Sequence, residues 1–181
     1  MEFKKIENSD SREFKEAWKI YESSFLPNER RSLELQIKLM KNKLYNFFVV
    51  LENKILVAII TYWDSGTFLF VEHLAVKEDI RGKFIGSKLL KDYLIRNKQT
   101  IVLEVEIPST EIAIKRINFY EKMGFKLNKF DYVQPKYEKG KSPISMFLMT
   151  YPKTINESEF VLIREKIHLS VYGCKKPLLS S

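Results

Sequence analysis

Hydrophobic positions change period several times along the chain, and each change marks an element. Residues 3–6 read as a short strand. Phe14, Ala17, Trp18, Tyr21 and Phe25 recur every three or four positions, which predicts an amphipathic helix over 12–25. Pro27-Asn28 interrupts it, and Leu33, Ile37, Met40 and Leu44 continue helical spacing in a second helix. Residues 45–51 and 55–63 are then dense in aromatic and branched side chains, with Asn53-Lys54 between them, a hairpin signal. Asp64-Ser65-Gly66 is a second turn and residues 68–76 a third strand of this meander.

Helical spacing returns at Ile85, Leu89, Leu90, Tyr93 and Leu94. A strand over 100–107 ends at Pro108. Thr110 is placed to cap a helix whose inner stripe is Ala113, Ile117 and Tyr120, and Gly124 is a C-terminal stop. Two late strands, 125–133 and 145–151, flank the loop QPKYEKGKSP. Asn156 and Glu159 have the spacing of a capping box and open a last helix with Phe160, Ile163, Ile167 and Val171 on one face. The order β-α-α-β-β-β-α-β-α-β-β-α predicts a mixed α/β (α+β) domain over 1–174, with residues 175–181 as a disordered tail.

Composition narrows the class. The chain has 181 residues, 45% of them hydrophobic and 13% aromatic, enough for an ordinary core. The charge is +8, from 31 Lys and Arg against 23 Asp and Glu. That balance favours an anionic partner such as nucleic acid, phospholipid or a phosphorylated cofactor. Because the charges are dispersed, a solvated basic surface explains them as well. The single cysteine, Cys174, excludes an internal disulfide framework and suits a reducing compartment. The start MEFKKIENSDSREF has no apolar leader, and the longest apolar run, 55–60, is too short to span a bilayer. A cytoplasmic protein is expected. His73 and His168 lack ligand spacing with each other or with Cys174, so no metal is expected.

The stretch RGKFIGSKLL, residues 81–90, joins a strand to a helix through two glycines. A helix start carries unpaired N–H groups and partial positive charge. Amides from Arg81 to Ser87 (through Gly82, Lys83, Phe84, Ile85 and Gly86) could face a diphosphate, with Arg81 and Lys83 adding charge. Glycine lets the main chain approach phosphate oxygens. The same two glycines could simply form a tight connection. The loop is neither GxxxxGK[ST] nor GxGxxG.

LAVKEDIRGKFIGSKLL resembles the acetyl-CoA motif of the GCN5-related N-acetyltransferase (GNAT) superfamily, a strand, a loop [QR]-x-x-G-x-[GA] and a helix. Arg81, Ile85, Gly86 and the following SKLL match. INFYEKMGFK, residues 117–126, resembles that superfamily's second signature. Phe84 departs from the motif, which has glycine there. A phenylalanine is expected to sit at negative φ with its ring turned from the phosphates, as a partly exposed hydrophobe or against the adenine end. The resemblance implies a mostly antiparallel mixed sheet of six or seven strands, splayed between the fourth and fifth. It also implies acetyl-CoA as cosubstrate and transfer to a primary amine in a ternary complex.

Such a transfer must deprotonate an amine, stabilise charge on the thioester oxygen and protonate a thiolate. By the resemblance, main-chain groups around Leu74, Ala75 and Val76 bind the acetyl oxygen and pantetheine. Tyr120 is the proton donor, since a phenol can pass its proton to a thiolate. Two carboxylates compete as the base. Glu104 shares a strand face with Glu106 among apolar neighbours, and mutual repulsion or burial would raise one pKa. Glu72 is the other, with His73 on the opposite face; water-relayed deprotonation needs neither. The same residues also read as plain sheet core, a core tyrosine and rim anchors for a cationic acceptor. The expected partner is a small-molecule or peptide amine, with no nucleic acid and no membrane; a homodimer is compatible. A non-catalytic acyl-CoA sensor with the same fold is the alternative, and Phe84 is the feature that favours it.

Overall fold

The computed structural model describes residues 1–178; the end of the expected disordered tail, 179–181, lies outside the described residues. The elements run β1 (Glu2–Lys5), α1 (Arg12–Ser24), α2 (Leu33–Leu39), β2 (Tyr45–Glu52), β3 (Ile55–Asp64), β4 (Phe68–Val76), α3 (Ile85–Arg96), β5 (Thr100–Glu106), α4 (Glu111–Lys122), β6 (Lys126–Gln134), β7 (Ile144–Tyr151) and α5 (Glu157–Ser170). This is the order the hydrophobic pattern predicts. The strands are hydrogen-bonded in the order β1-β2-β3-β4-β5-β7-β6. With β4 and β5 parallel, the sheet is mixed, as expected.

Contacts divide the chain into two units, Met1–Asp64 with Val71–Lys98, and Ser65–Phe70 with the residues from Gln99 onward. Strand β4 contributes residues 68–70 to the second unit and 71–76 to the first.

In the first unit, β2 and β3 form the hairpin around Asn53 and Lys54. Both turn residues are left-handed, at φ 51° and 64°, which matches the twist of the flanking strands. Phe47 on β2 meets Phe14 and Tyr21 of α1, at centroid distances of 6.1 and 6.5 Å. On the opposite face Phe48 stacks on Tyr62, which meets Tyr93 of α3. One strand thus serves helices on two faces, because neighbouring side chains point opposite ways. Burying one such aromatic contributes about 2 kcal/mol. The second helix stops at Leu39, short of Leu44. Asn42 ends it: its Oδ1 accepts the Leu44 N–H at 3.0 Å, a turn that competes with the helix.

In the second unit β7 lies between β5 and β6, both antiparallel to it. A register shift separates Asn128 from Tyr132 on β6, and Phe130 of that stretch stacks on Phe160 of α5 at 4.7 Å. The expected caps are present. Thr110 Oγ1 accepts the Ala113 N–H, and Asn156 and Glu159 close a capping box. Gly124 stops α4 at φ 95°, where an added Cβ would lie 3.1 Å from the Tyr151 ring.

Candidate functional site

After β4 ends at Val76, a single 3-10 turn spans Glu78–Ile80, and Arg81 leaves that turn extended, at φ −61° and ψ 154°. Gly82 at φ 80° and Phe84 at φ 60° then turn the chain so that α3 begins at Ile85. This corrects the expected negative φ at Phe84. Two left-handed residues bring an extended chain into a helix within a few positions, and that geometry outweighs the steric preference of phenylalanine at a cost of about 1–2 kcal/mol. Phe84 is the N-cap, and its side chain makes no capping hydrogen bond. The residue is 83% exposed, the most exposed large hydrophobic among the described residues. The first helical N–H groups therefore receive no acceptor from the N-cap side chain. Nothing lies within 4 Å of where a Gly82 side chain would start. Lys83 is exposed. Arg81 braces the loop, donating from Nε to the Val76 carbonyl at 3.1 Å and from Nη2 to Ser24 Oγ at 2.9 Å.

The preceding strand half alternates. Val71, His73 and Ala75 are buried; Glu72, Leu74 and Val76 are half-buried. At Glu72 the side chain is fully buried, so the exposure belongs to its main chain. Residues 74–76 thus stand at the end of the strand that precedes the loop, with the Glu78–Ile80 turn between them.

Glu72 is held by two elements. Arg31 Nη1 donates to its Oε1 at 2.6 Å and Trp63 Nε1 to its Oε2 at 3.0 Å. Burial alone would push this carboxyl up; the Arg31 guanidinium, then His73 and the two hydrogen bonds, bring it below the usual carboxylate value. His73, expected on the opposite face, brings Nδ1 within 3.9 Å of Glu72 Oε2. Its ring sits edge-on to Tyr21 and Phe25, at 4.7 and 4.5 Å. Burial pushes the imidazole down, so it is neutral. Nε2–H then donates to the Glu29 carbonyl at 2.9 Å. Arg31 and Glu29 flank one another in the α1–α2 connection, so β4 grips that segment twice.

In the second unit, Glu104 on β5 accepts from the Tyr132 hydroxyl, from Gln134 Nε2 at 2.6 Å and from the Tyr172 hydroxyl at 2.8 Å. Burial, and then the Glu104 charge, push the Tyr132 phenol well up. Glu106 turns to Arg116 at 2.8 Å, so the two carboxylates of this strand have separate partners. Tyr120 on α4 is half-buried and touches Phe119 and Phe125. Burial raises its phenol pKa, with Arg116 pulling the other way. The structure thus joins Glu72, residues 74–76 and the loop on one continuous piece of chain, and places Glu104 and Tyr120 on β5 and α4 of the second unit. Arg31, Trp63, Tyr132, Gln134 and Tyr172 escaped the sequence reading. Tyr132 and Gln134, two apart on one strand, were the findable signal. Among the described residues no cluster of three His, Cys, Asp or Glu could hold a metal, and no helix is long and apolar enough to cross a membrane.

Residues 43–127 match the family described as Acetyltransferase (GNAT) domain. A solved structure from Bacteroides thetaiotaomicron, assigned as a GNAT-family acetyltransferase, is 35% identical over 97% of this chain and 100% of its own, with a TM-score of 0.92. A Bacillus subtilis protein named as acetyltransferase YjbC is 28% identical over 120 residues; the match spans 65% of this chain and 62% of that protein. The ribosomal-protein-S18-alanine N-acetyltransferase from Escherichia coli shares the fold, with a TM-score of 0.57 at 16% identity over 86% of this chain and 96% of its own.

Proposed function

The chain belongs to the GNAT acetyltransferase family, and from that premise we propose that it moves an acetyl group from acetyl-CoA to a primary amine by direct transfer in a ternary complex. The observation that carries the reading is the turn between β4 and α3. A helix start whose N-cap side chain makes no capping hydrogen bond, a glycine with open space beside it and the exposed Lys83 form a place for an anion. The strand before it exposes main chain at Glu72. Amides of 82–87 would hold the diphosphate, and main-chain groups of Leu74, Ala75 and Val76 the acyl arm. Bound there, acetyl-CoA supplies an activated acyl carbon and a thiolate leaving group.

The remaining roles fall to three side chains. Tyr120, its pKa raised by burial, keeps its proton at neutral pH and is the donor to the departing sulfur. Glu104, oriented by two phenols and an amide, is the carboxylate that receives the amine or its proton. Glu72, already facing the Arg31 guanidinium, is assigned to anchoring the α1–α2 segment rather than to proton removal.

Calorimetry with acetyl-CoA, followed by thiol release in the presence of a panel of primary amines, tests the proposal. Binding with release supports it. Binding without release from any amine supports the sensor reading, and no binding removes both.

A further inference from the structure

We infer that Tyr172 is a positioning residue for the Glu104 carboxylate, so that the segment following α5 helps build the amine-facing side of the enzyme; this rests on the role proposed for Glu104 above. Glu104 stands opposite Leu148 in the β5–β7 register. Tyr132 and Gln134 reach it from β6 and are 2% and 5% exposed. Tyr172 reaches the same carboxylate from outside the sheet. It lies two residues past the end of α5, and its hydroxyl shares Glu104 Oε2 with Gln134.

The segment that carries Tyr172 is fastened to α5 itself. Gly173 is left-handed at φ 65°. The Cys174 N–H then donates to the His168 carbonyl at 2.9 Å, and the Leu178 N–H to His168 Nδ1 at 3.1 Å. Tyr137, from the connection between β6 and β7, packs tilted against Tyr172 with centroids 5.1 Å apart and hydroxyls 3.5 Å apart. The β6–β7 connection thus backs the side chain that the segment after α5 sends to Glu104 Oε2. A glutamate side chain has several rotatable bonds, and three donors from two directions select one orientation among its rotamers. Phenol and amide are neutral donors. They fix the carboxylate and favour its charged form without cancelling its charge, whereas Arg31 opposes the charge of Glu72 directly.

Each donor removed makes Glu104 easier to protonate; each donor strengthened makes it harder. The full chain, carrying ¹³C at the glutamate carboxyls, is titrated by NMR, and Glu104→Gln identifies the Glu104 resonance by its loss. Tyr172→Phe, which keeps the ring against Tyr137, is expected to raise the Glu104 midpoint by about half a unit to one unit. Gln134→Leu moves it the same way. Fluorinated tyrosine at position 172, a stronger donor, moves it down and serves where Tyr172→Phe does not fold. His168, whose ring lies 5.4 Å from that of Tyr132, and Glu106, paired with Arg116, are followed in the same samples. A Glu104 midpoint unmoved by every change at position 172, while Gln134→Leu shifts it, overturns the inference. Thiol release from acetyl-CoA with the amine panel answers the other question. Glu104→Gln turning over like the parent protein removes the role of Glu104 itself, whatever the titration shows.

Discussion

Arg31 Nη1 lies 2.6 Å from Glu72 Oε1, and the two side chains are only 7% and 0% exposed. Removing either partner leaves the other charge buried without its counterpart. Arg31→Met or Glu72→Leu alone should therefore cost about 3–5 kcal/mol, whereas replacing a buried pair together is often close to neutral. Urea denaturation of both single variants and the double variant checks this. A double variant as unstable as the sum of the singles would show that the two residues act independently. The carboxyl is held below its ordinary value of 4.5. Its contribution is thus complete above that pH and disappears as pH falls through the lower, folded value.

Two buried histidines set a second pH window. Burial pushes His73 below 6.5 and His168 down to about 4. Both are neutral in the folded chain and regain an ordinary affinity for protons on unfolding. Below pH 6.5 the unfolded state thus binds more protons, so stability falls as the medium is acidified from 6.5 towards 4. Protonating His168 also ends the hydrogen bond that Nδ1 accepts from the Leu178 N–H. Urea midpoints measured from pH 7.5 to 4.5 should decline, and His168→Asn should flatten the decline. An unchanged slope in that variant would assign the loss elsewhere.

What was legible follows the range of the forces involved. Period and local caps are written within a few residues, so the hairpin at Asn53-Lys54, the Thr110 cap and the Asn156–Glu159 box could be read directly. The end of α2 could not, because apolar spacing runs on to Leu44 while the Asn42 side chain diverts the backbone first. Partners far apart in sequence leave no periodic trace. Arg31 and Glu72 are 41 positions apart, and Tyr172 is 68 from Glu104. Mutual repulsion between Glu104 and Glu106 was a reasonable expectation from their shared strand face. Tyr132, Gln134 and Tyr172 on one side and Arg116 on the other give each carboxylate its own surroundings.

Phe84 keeps the left-handed conformation that a glycine would adopt there. Phe84→Gly should relieve about 1–2 kcal/mol of steric strain, offset by about 0.5–1 kcal/mol of added unfolded-state freedom. The net expectation is a small gain in stability. Phe84→Ala retains a Cβ at φ 60° and should not gain. Thermal melts rank the three proteins. Phe84→Gly should also bind acetyl-CoA about as tightly as the parent, since the turn and its amides are unchanged. A large loss of affinity on calorimetry would instead make the exposed ring part of the coenzyme contact.

Tyr120 gives the sharpest separation of binding from chemistry. Its ring packs between Phe119 and Phe125 at 5.2 and 5.5 Å, contacts that phenylalanine would keep. Tyr120→Phe removes only the hydroxyl. If that hydroxyl protonates the leaving thiolate, kcat should fall by about 10²-fold or more, the usual scale for loss of a positioned acid. Affinity for acetyl-CoA should stay within a factor of about two, because the proton is needed only as the sulfur gains charge. Raising the pH of the assay should then depress the parent enzyme as its phenol ionises, at a pH above 10 because burial raises this pKa. The Phe variant should lack that limb. A variant that turns over normally, or one that loses coenzyme affinity in proportion to rate, would return Tyr120 to the helix stripe as a packing residue.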